Sequence, residues 1–83
     1  MIPPRYRCPC CRKLTLTELA NYEICPVCFW EDDGQDDPRA DEVWGGPNEI
    51  MSLTEARANY IAFGASSQRR VAFVRPARPE EEQ

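Results

Sequence analysis

The cysteines stand in two short hooks, Cys8-Pro9-Cys10-Cys11 and Cys25-Pro26-Val27-Cys28, with 13 residues between Cys11 and Cys25. Two thiolates with two residues between them can reach one ion. Two such pairs supply four sulfurs, the donor set of a structural zinc site. Proline at the second position of each hook fixes φ and bends the turn toward that geometry. Symmetry with the second hook selects Cys8, Cys11, Cys25 and Cys28 as the metal ligands and leaves Cys10 over. A closed four-thiolate shell keeps no open position for water, so its chemistry is structural rather than catalytic. Iron accepts the same tetrahedral thiolate set and is the other metal compatible with the pattern. Arg7, Arg12 and Lys13 flank the first hook, where they can offset the negative charge of the ligand shell.

The catalytic alternatives lack their partners. The chain has no histidine, so no Cys–His nucleophile pair can form within it, whatever Cys10 does. A C-x-x-C redox pair expects a thioredoxin-like βαβ pattern, which the sequence does not show. The run Asp32-Asp33-Gly34-Gln35-Asp36-Asp37 does not have the spacing of an EF-hand loop. The expectation is a protein that is not an enzyme.

The elements that must position the hooks are few. A chain of 83 residues is one domain. At this size folding buries only about 60% of the surface of the unfolded chain, so a metal is a natural supplement to a thin core. Arg5-Tyr6-Arg7 and Tyr22-Glu23-Ile24 read as strands entering the two hooks, and Leu14-Thr15-Leu16 as the strand leaving the first. Ser52-Leu53-Thr54-Glu55 reads as a capping box, and Gly64 as a C′ residue, which brackets a helix over about 53–63. Leu53, Ala56, Tyr60 and Phe63 share its inward face, with Arg57 and Asn59 pointing away. Val71-Ala72-Phe73-Val74 reads as a last strand or a docked extended segment. The predicted fold is a small α+β metal-stapled domain, zinc-ribbon-like, with two knuckle-bearing β-hairpins and one C-terminal helix. It spans residues 1–74, and 75–83 are expected to be a disordered tail.

Ten basic and 14 acidic residues give a net charge of −4. The acids concentrate in residues 31–49, which carry Glu31, Asp32, Asp33, Asp36, Asp37, Asp41, Glu42 and Glu49 against Arg39 alone. Such a run is either a solvated loop or a docking surface for a basic protein. Trp44 lies within it, either pinning the loop to the core or standing out toward a partner. Phe29 and Trp30, directly after the last cysteine, read as core aromatics, with a lid over the metal as the other possibility. The acidic balance opposes a general nucleic-acid role, for which only Arg69, Arg70, Arg75 and Arg78 form a basic strip. No segment reads as a secretory signal or approaches the roughly 20 apolar residues of a bilayer span. The expected location is therefore the cytoplasm, with no membrane partner. Thiols stay reduced there, and clustered cysteines bind metal more often than they pair.

Three stretches together carry a resemblance: Tyr6 to Cys11, Tyr22 to Asp33 with its Cys25-Pro26-Val27-Cys28-Phe29-Trp30 centre, and Ser52 to Tyr60. In these the chain resembles the bacterial cysteine-rich CPCC family over roughly residues 5–65, and Val74-Arg75-Pro76 is similar to that family's trailing segment. The resemblance implies a small zinc-ribbon-like domain and brings no catalytic residue. Because some small proteins of this kind lie near bacterial toxin genes, it also implies an immunity role. The combined expectation is a non-catalytic, zinc-stabilised protein-binding module that uses the acidic loop, with a toxin or other basic protein as partner. The alternative is a zinc ribbon associated with nucleic acid in transcription or translation.

Overall fold

Each hook folds into the same backbone knuckle. In the first, the Cys8 N–H donates to Lys13 O and the Arg12 N–H to Cys8 O, both at 2.8 Å. In the second, the Cys25 N–H donates to Trp30 O at 3.0 Å and the Phe29 N–H to Cys25 O at 2.8 Å. The residue after each hook must turn left-handed to close the knuckle, and Arg12 and Phe29 do so at φ 68° and 66°. Neither is glycine, so each carries the roughly 1–2 kcal/mol that a side chain costs in this region.

The computed structural model describes residues 5–83, so the first four residues of the domain expected over 1–74 lie outside the described residues. Around the first knuckle, β1 (Tyr6–Arg7) and β2 (Leu14–Leu16) pair antiparallel, with a register shift between Tyr6 and Arg7. The second knuckle has no such ladder. Its arms meet at a single antiparallel bridge, Ile24 to Glu31, flanked by bonds between Tyr22 or Glu23 and Asp32. The two-knuckle arrangement is therefore present, but only one of the two expected hairpins is regular.

Helix α1 (Leu53–Phe63) begins and ends where its caps place it. Ser52 Oγ accepts from the Glu55 N–H at 3.1 Å, and Gly64 takes φ 82° while its N–H donates to Tyr60 O. No return bond from the Glu55 carboxylate to the Ser52 N–H is found among the described residues. Leu53 and Ala56 are fully buried and Tyr60 packs against the cysteine-centred core, but Phe63 lies in solvent. Arg57 and Asn59 do not point away, as expected from the sequence. They border the apolar face, where Arg57 Nε donates to Pro9 O at 2.8 Å and Asn59 Nδ2 to Ser66 O at 2.9 Å.

One further expectation changes at the C-terminal end. Val71 to Val74 does not form a strand, because Gln68–Phe73 closes into a 3-10 helix. Positions three apart share a face in that geometry. Arg70 and Phe73 therefore both meet Phe29, the guanidinium 5.7 Å above its ring and the Phe73 ring with its centroid 5.4 Å away. Residues 75–83, expected as a disordered tail, make contacts with the rest of the chain. The Arg75 N–H donates to Pro26 O, Pro79–Glu81 forms a 3-10 turn, and Glu81 is 4% exposed against the forked guanidinium of Arg75.

The knuckle geometry makes Arg12→Gly neutral or stabilising by up to about 1 kcal/mol, since glycine adopts positive φ without penalty. Arg12→Val destabilises by about 1–2 kcal/mol, because a branched Cβ fits that region worst. Urea denaturation of both variants beside the parent measures the difference. A second outcome concerns pH. Arg75, ahead of the Arg78 N–H, pulls the Glu81 carboxyl down from 4.5 to about 2. A depressed folded pKa means that the contact is complete above pH about 4.5 and is lost as pH falls toward 2. The Arg75 Hε resonance should report that release in an acid titration.

Candidate metal centre

The two knuckles face each other and bring Cys8, Cys11, Cys25 and Cys28 together, all buried, with their sulfurs within 4.8 Å of one another. Cys8 Sγ and Cys28 Sγ are 3.5 Å apart, and Cys11 Sγ and Cys25 Sγ 3.7 Å. A tetrahedron built on zinc–sulfur bonds of about 2.3 Å has edges of about 3.8 Å. The donor set and its spacing thus fit a tetrahedral ion. All five cysteines are free thiols, and no disulfide competes for the sulfurs.

The electrostatics of the cluster point the same way. Contact with Cys11 and then Cys25 holds the Cys8 thiol far above its ordinary pKa, and contact with Cys25 does the same to Cys11. Cys28 is raised most directly by Cys10. Cys25 moves the opposite way, because Cys11 and its other neighbours hydrogen-bond to its thiolate. Four sulfurs in one dry volume therefore stabilise one negative charge among themselves and resist the rest. A divalent cation removes that resistance, since thiolates bound to it are deprotonated outright.

Outer groups that sequence spacing did not single out complete the site. Thr15 Oγ1 lies 3.0 Å from Cys25 Sγ, and the Val27 N–H donates to the same sulfur at 3.4 Å. Thr15 is buried on β2, as is its neighbour Leu16. Trp30 is buried within the core that the cysteines share, so it is a packing residue, while Phe29 is half-buried under Arg70 and Phe73. Cys10 stays outside the set of four. It is buried. Tyr60 packs over the core, where burial, ahead of the cysteine charges, pushes its hydroxyl up to about 12.

The acidic loop is less free than its composition implies. Asp32 is buried and accepts from the Ala20 N–H at 2.8 Å. Asp37 accepts from Arg57 and Arg12 at 2.6 and 2.9 Å, and these two guanidinium groups, Arg57 first, lower its pKa. Gln35 donates to Arg39 O and Glu42 O, closing the loop on itself. Asp36, Asp37, Asp41 and Glu42 stay exposed, as do Val43 at 55% and Trp44 at 41%, with the indole N–H on Glu42. Trp44 thus neither plugs the core nor stands wholly free, since its ring edge rests near Gly34.

The basic strip expected from Arg69, Arg70, Arg75 and Arg78 does not form. Arg70 is 9% exposed and donates to Phe29 O, Pro47 O, Asn48 Oδ1 and Ser66 Oγ. Arg69 pairs with Glu49 and Arg75 with Glu81.

A cysteine-centred core held between two knuckles and backed by one short helix defines a small knuckle-type domain whose four cysteines could hold a metal ion. A family model described as Cysteine-rich CPCC matches residues 6–81, and the chain belongs to that family. No curated protein and no solved structure matches it. Among the described residues no helix is long and apolar enough to cross a membrane.

The geometry ranks three substitutions by their effect on metal affinity. Cys25→Ser, which removes a donor, loses more than about 100-fold. Thr15→Val, which removes an outer hydrogen bond, loses about 10–100-fold. Cys10→Ser loses least. Competition with a chromophoric chelator measures all three, and a larger loss for Cys10→Ser than for Cys25→Ser would reassign the ligands.

Proposed function

We propose that the chain is a non-catalytic, zinc-stabilised module that binds a basic protein, with immunity toward a toxin as the specific case to test. The observation that carries the first half is the closed cluster of Cys8, Cys11, Cys25 and Cys28, four buried sulfurs at tetrahedral spacing. Zinc suits them because it takes four thiolates without geometric strain. The ion holds the knuckles together and performs no reaction.

Support for the second half is local. Val43 and Trp44 stand exposed at the tip of a loop whose acids outnumber its bases, and a large aromatic ringed by charge is a common anchor of protein interfaces. Charge of this sign speeds encounter with a basic cleft. The loop acids engaged internally with Arg12, Arg57 and backbone N–H groups fix the loop's shape, while Glu42 beside Trp44 remains at the surface. The nucleic-acid alternative has weaker support, because Arg69, Arg70 and Arg75 already have partners within the chain.

The test uses a partner captured with the intact chain and then purified. Trp44→Ala should weaken its binding by about 30-fold or more, the effect of losing an interface hot spot. Co-expression with a toxin partner should lose its protective effect with the same substitution. Unchanged affinity for every captured partner removes the loop from the account.

A further inference from the structure

The segment Pro79-Glu80-Glu81-Glu82-Gln83 is an acidic peptide lying on a cationic surface of its own chain. Lys13 Nζ meets Glu82 Oε1 at 3.2 Å, and Arg7 donates to Gln83 O. Arg75 grips both carboxylate oxygens of Glu81 at 2.8 Å, a forked pairing that fixes orientation as well as charge. The receiving groups belong to the fixed part of the fold. Arg7 is on β1, Lys13 closes the first knuckle by accepting from the Cys8 N–H, and the Arg75 backbone is bonded to Pro26 of the second knuckle. Beside the segment is a cavity of about 350 Å³ lined by Arg5, Leu14, Arg78, Glu80, Glu81 and Gln83, so the segment does not fill the surface it covers.

We infer that the surface formed by Arg7, Lys13 and Arg75 around Leu14 is a docking site for an acidic peptide of a partner protein, and that residues 79–83 occupy it as an intramolecular competitor. This surface is distinct from the acidic-loop tip, and the inference does not rest on the partner proposed there. A peptide is favoured over a nucleic acid because the occupant in place is a run of glutamates held by a forked guanidinium and by contacts to backbone carbonyl oxygen. The Lys13–Glu82 pair is exposed and weak, and the fork between Arg75 and the buried Glu81 is the contact that an incoming carboxylate has to replace. A tethered competitor acts at an effective concentration on the order of millimolar. Removing its charge therefore strengthens binding of a peptide in trans by tenfold or more.

The experiment uses the full chain and a fluorescein-labelled acetyl-Pro-Glu-Glu-Glu-Gln peptide, followed by anisotropy at low salt. The triple variant Glu80→Gln, Glu81→Gln, Glu82→Gln should bind it at least tenfold more tightly than the parent. Its metal content and circular dichroism should match the parent's. Added salt should weaken the complex, and Lys13→Ala in the triple variant should weaken it several-fold. Equal affinity in parent and triple variant, absence of binding to both, or tighter binding of a single-stranded RNA oligomer than of the peptide overturns the inference. If the triple variant fails to fold, the parent decides by nuclear magnetic resonance. Excess peptide should shift the side-chain resonances of Arg7, Lys13 and Arg75, and their silence overturns the inference equally.

Discussion

Four sulfurs from segments 8–11 and 25–28 are held together in the buried core, and β2, Trp30 and helix α1 pack into the same cluster. Contact among the sulfurs raises Cys8, Cys11 and Cys28 and lowers Cys25, and a cation at the centre would let all four bind as thiolates. The cluster lies between two copies of one backbone knuckle, each closed by a left-handed residue that is not glycine. Two strained turns on a thin core are tolerable when an ion ties them. A metal bound there would contribute its binding free energy to folding.

Outside the knuckles the structure is stitched by arginines. Arg70 reaches four oxygens and joins the second knuckle, the 47–48 turn and Ser66, while Arg57 joins helix α1 to the first knuckle and to Asp37. Asn48 adds a bond to Glu31 O, so the stretch that follows the last cysteine is tied at both ends. This is why the acid-rich loop has a definite shape, with Val43 and Trp44 presented at one place. The same economy of apolar groups leaves Ile50 and Ile61 86% exposed. The core is apolar only near the sulfurs, and the periphery is held by polar links.

Legibility in the sequence followed the range of the interactions. The hooks and helix α1 were readable because their determinants are local: a two-residue cysteine gap, a serine cap, and a glycine where the chain turns left-handed. Arg57, Asn59 and Arg70 read from the sequence as outward or as part of a basic strip. Their partners Pro9, Ser66 and Phe29 lie elsewhere in the chain, and periodicity says nothing about distant acceptors. The run Val71 to Val74 looked like a strand from residue type alone, yet Arg70 and Phe73 must both reach Phe29, and a 3-10 turn allows it. The final glutamates looked like solvated tail because their cations, Lys13 and Arg75, were not visibly nearby. At the candidate site, the spacing suggests which sulfurs meet, but Thr15 and the Val27 N–H on Cys25 have no signature in the sequence.

The central claim is that an ion in the four-sulfur cluster holds this fold together. It is tested most directly by titrating the intact, reduced chain with a chelator while following bound metal by atomic emission and helix content by far-ultraviolet circular dichroism. The account predicts one ion per chain and loss of the α1 signal in step with its removal. A native spectrum that persists after the last metal has left would contradict it.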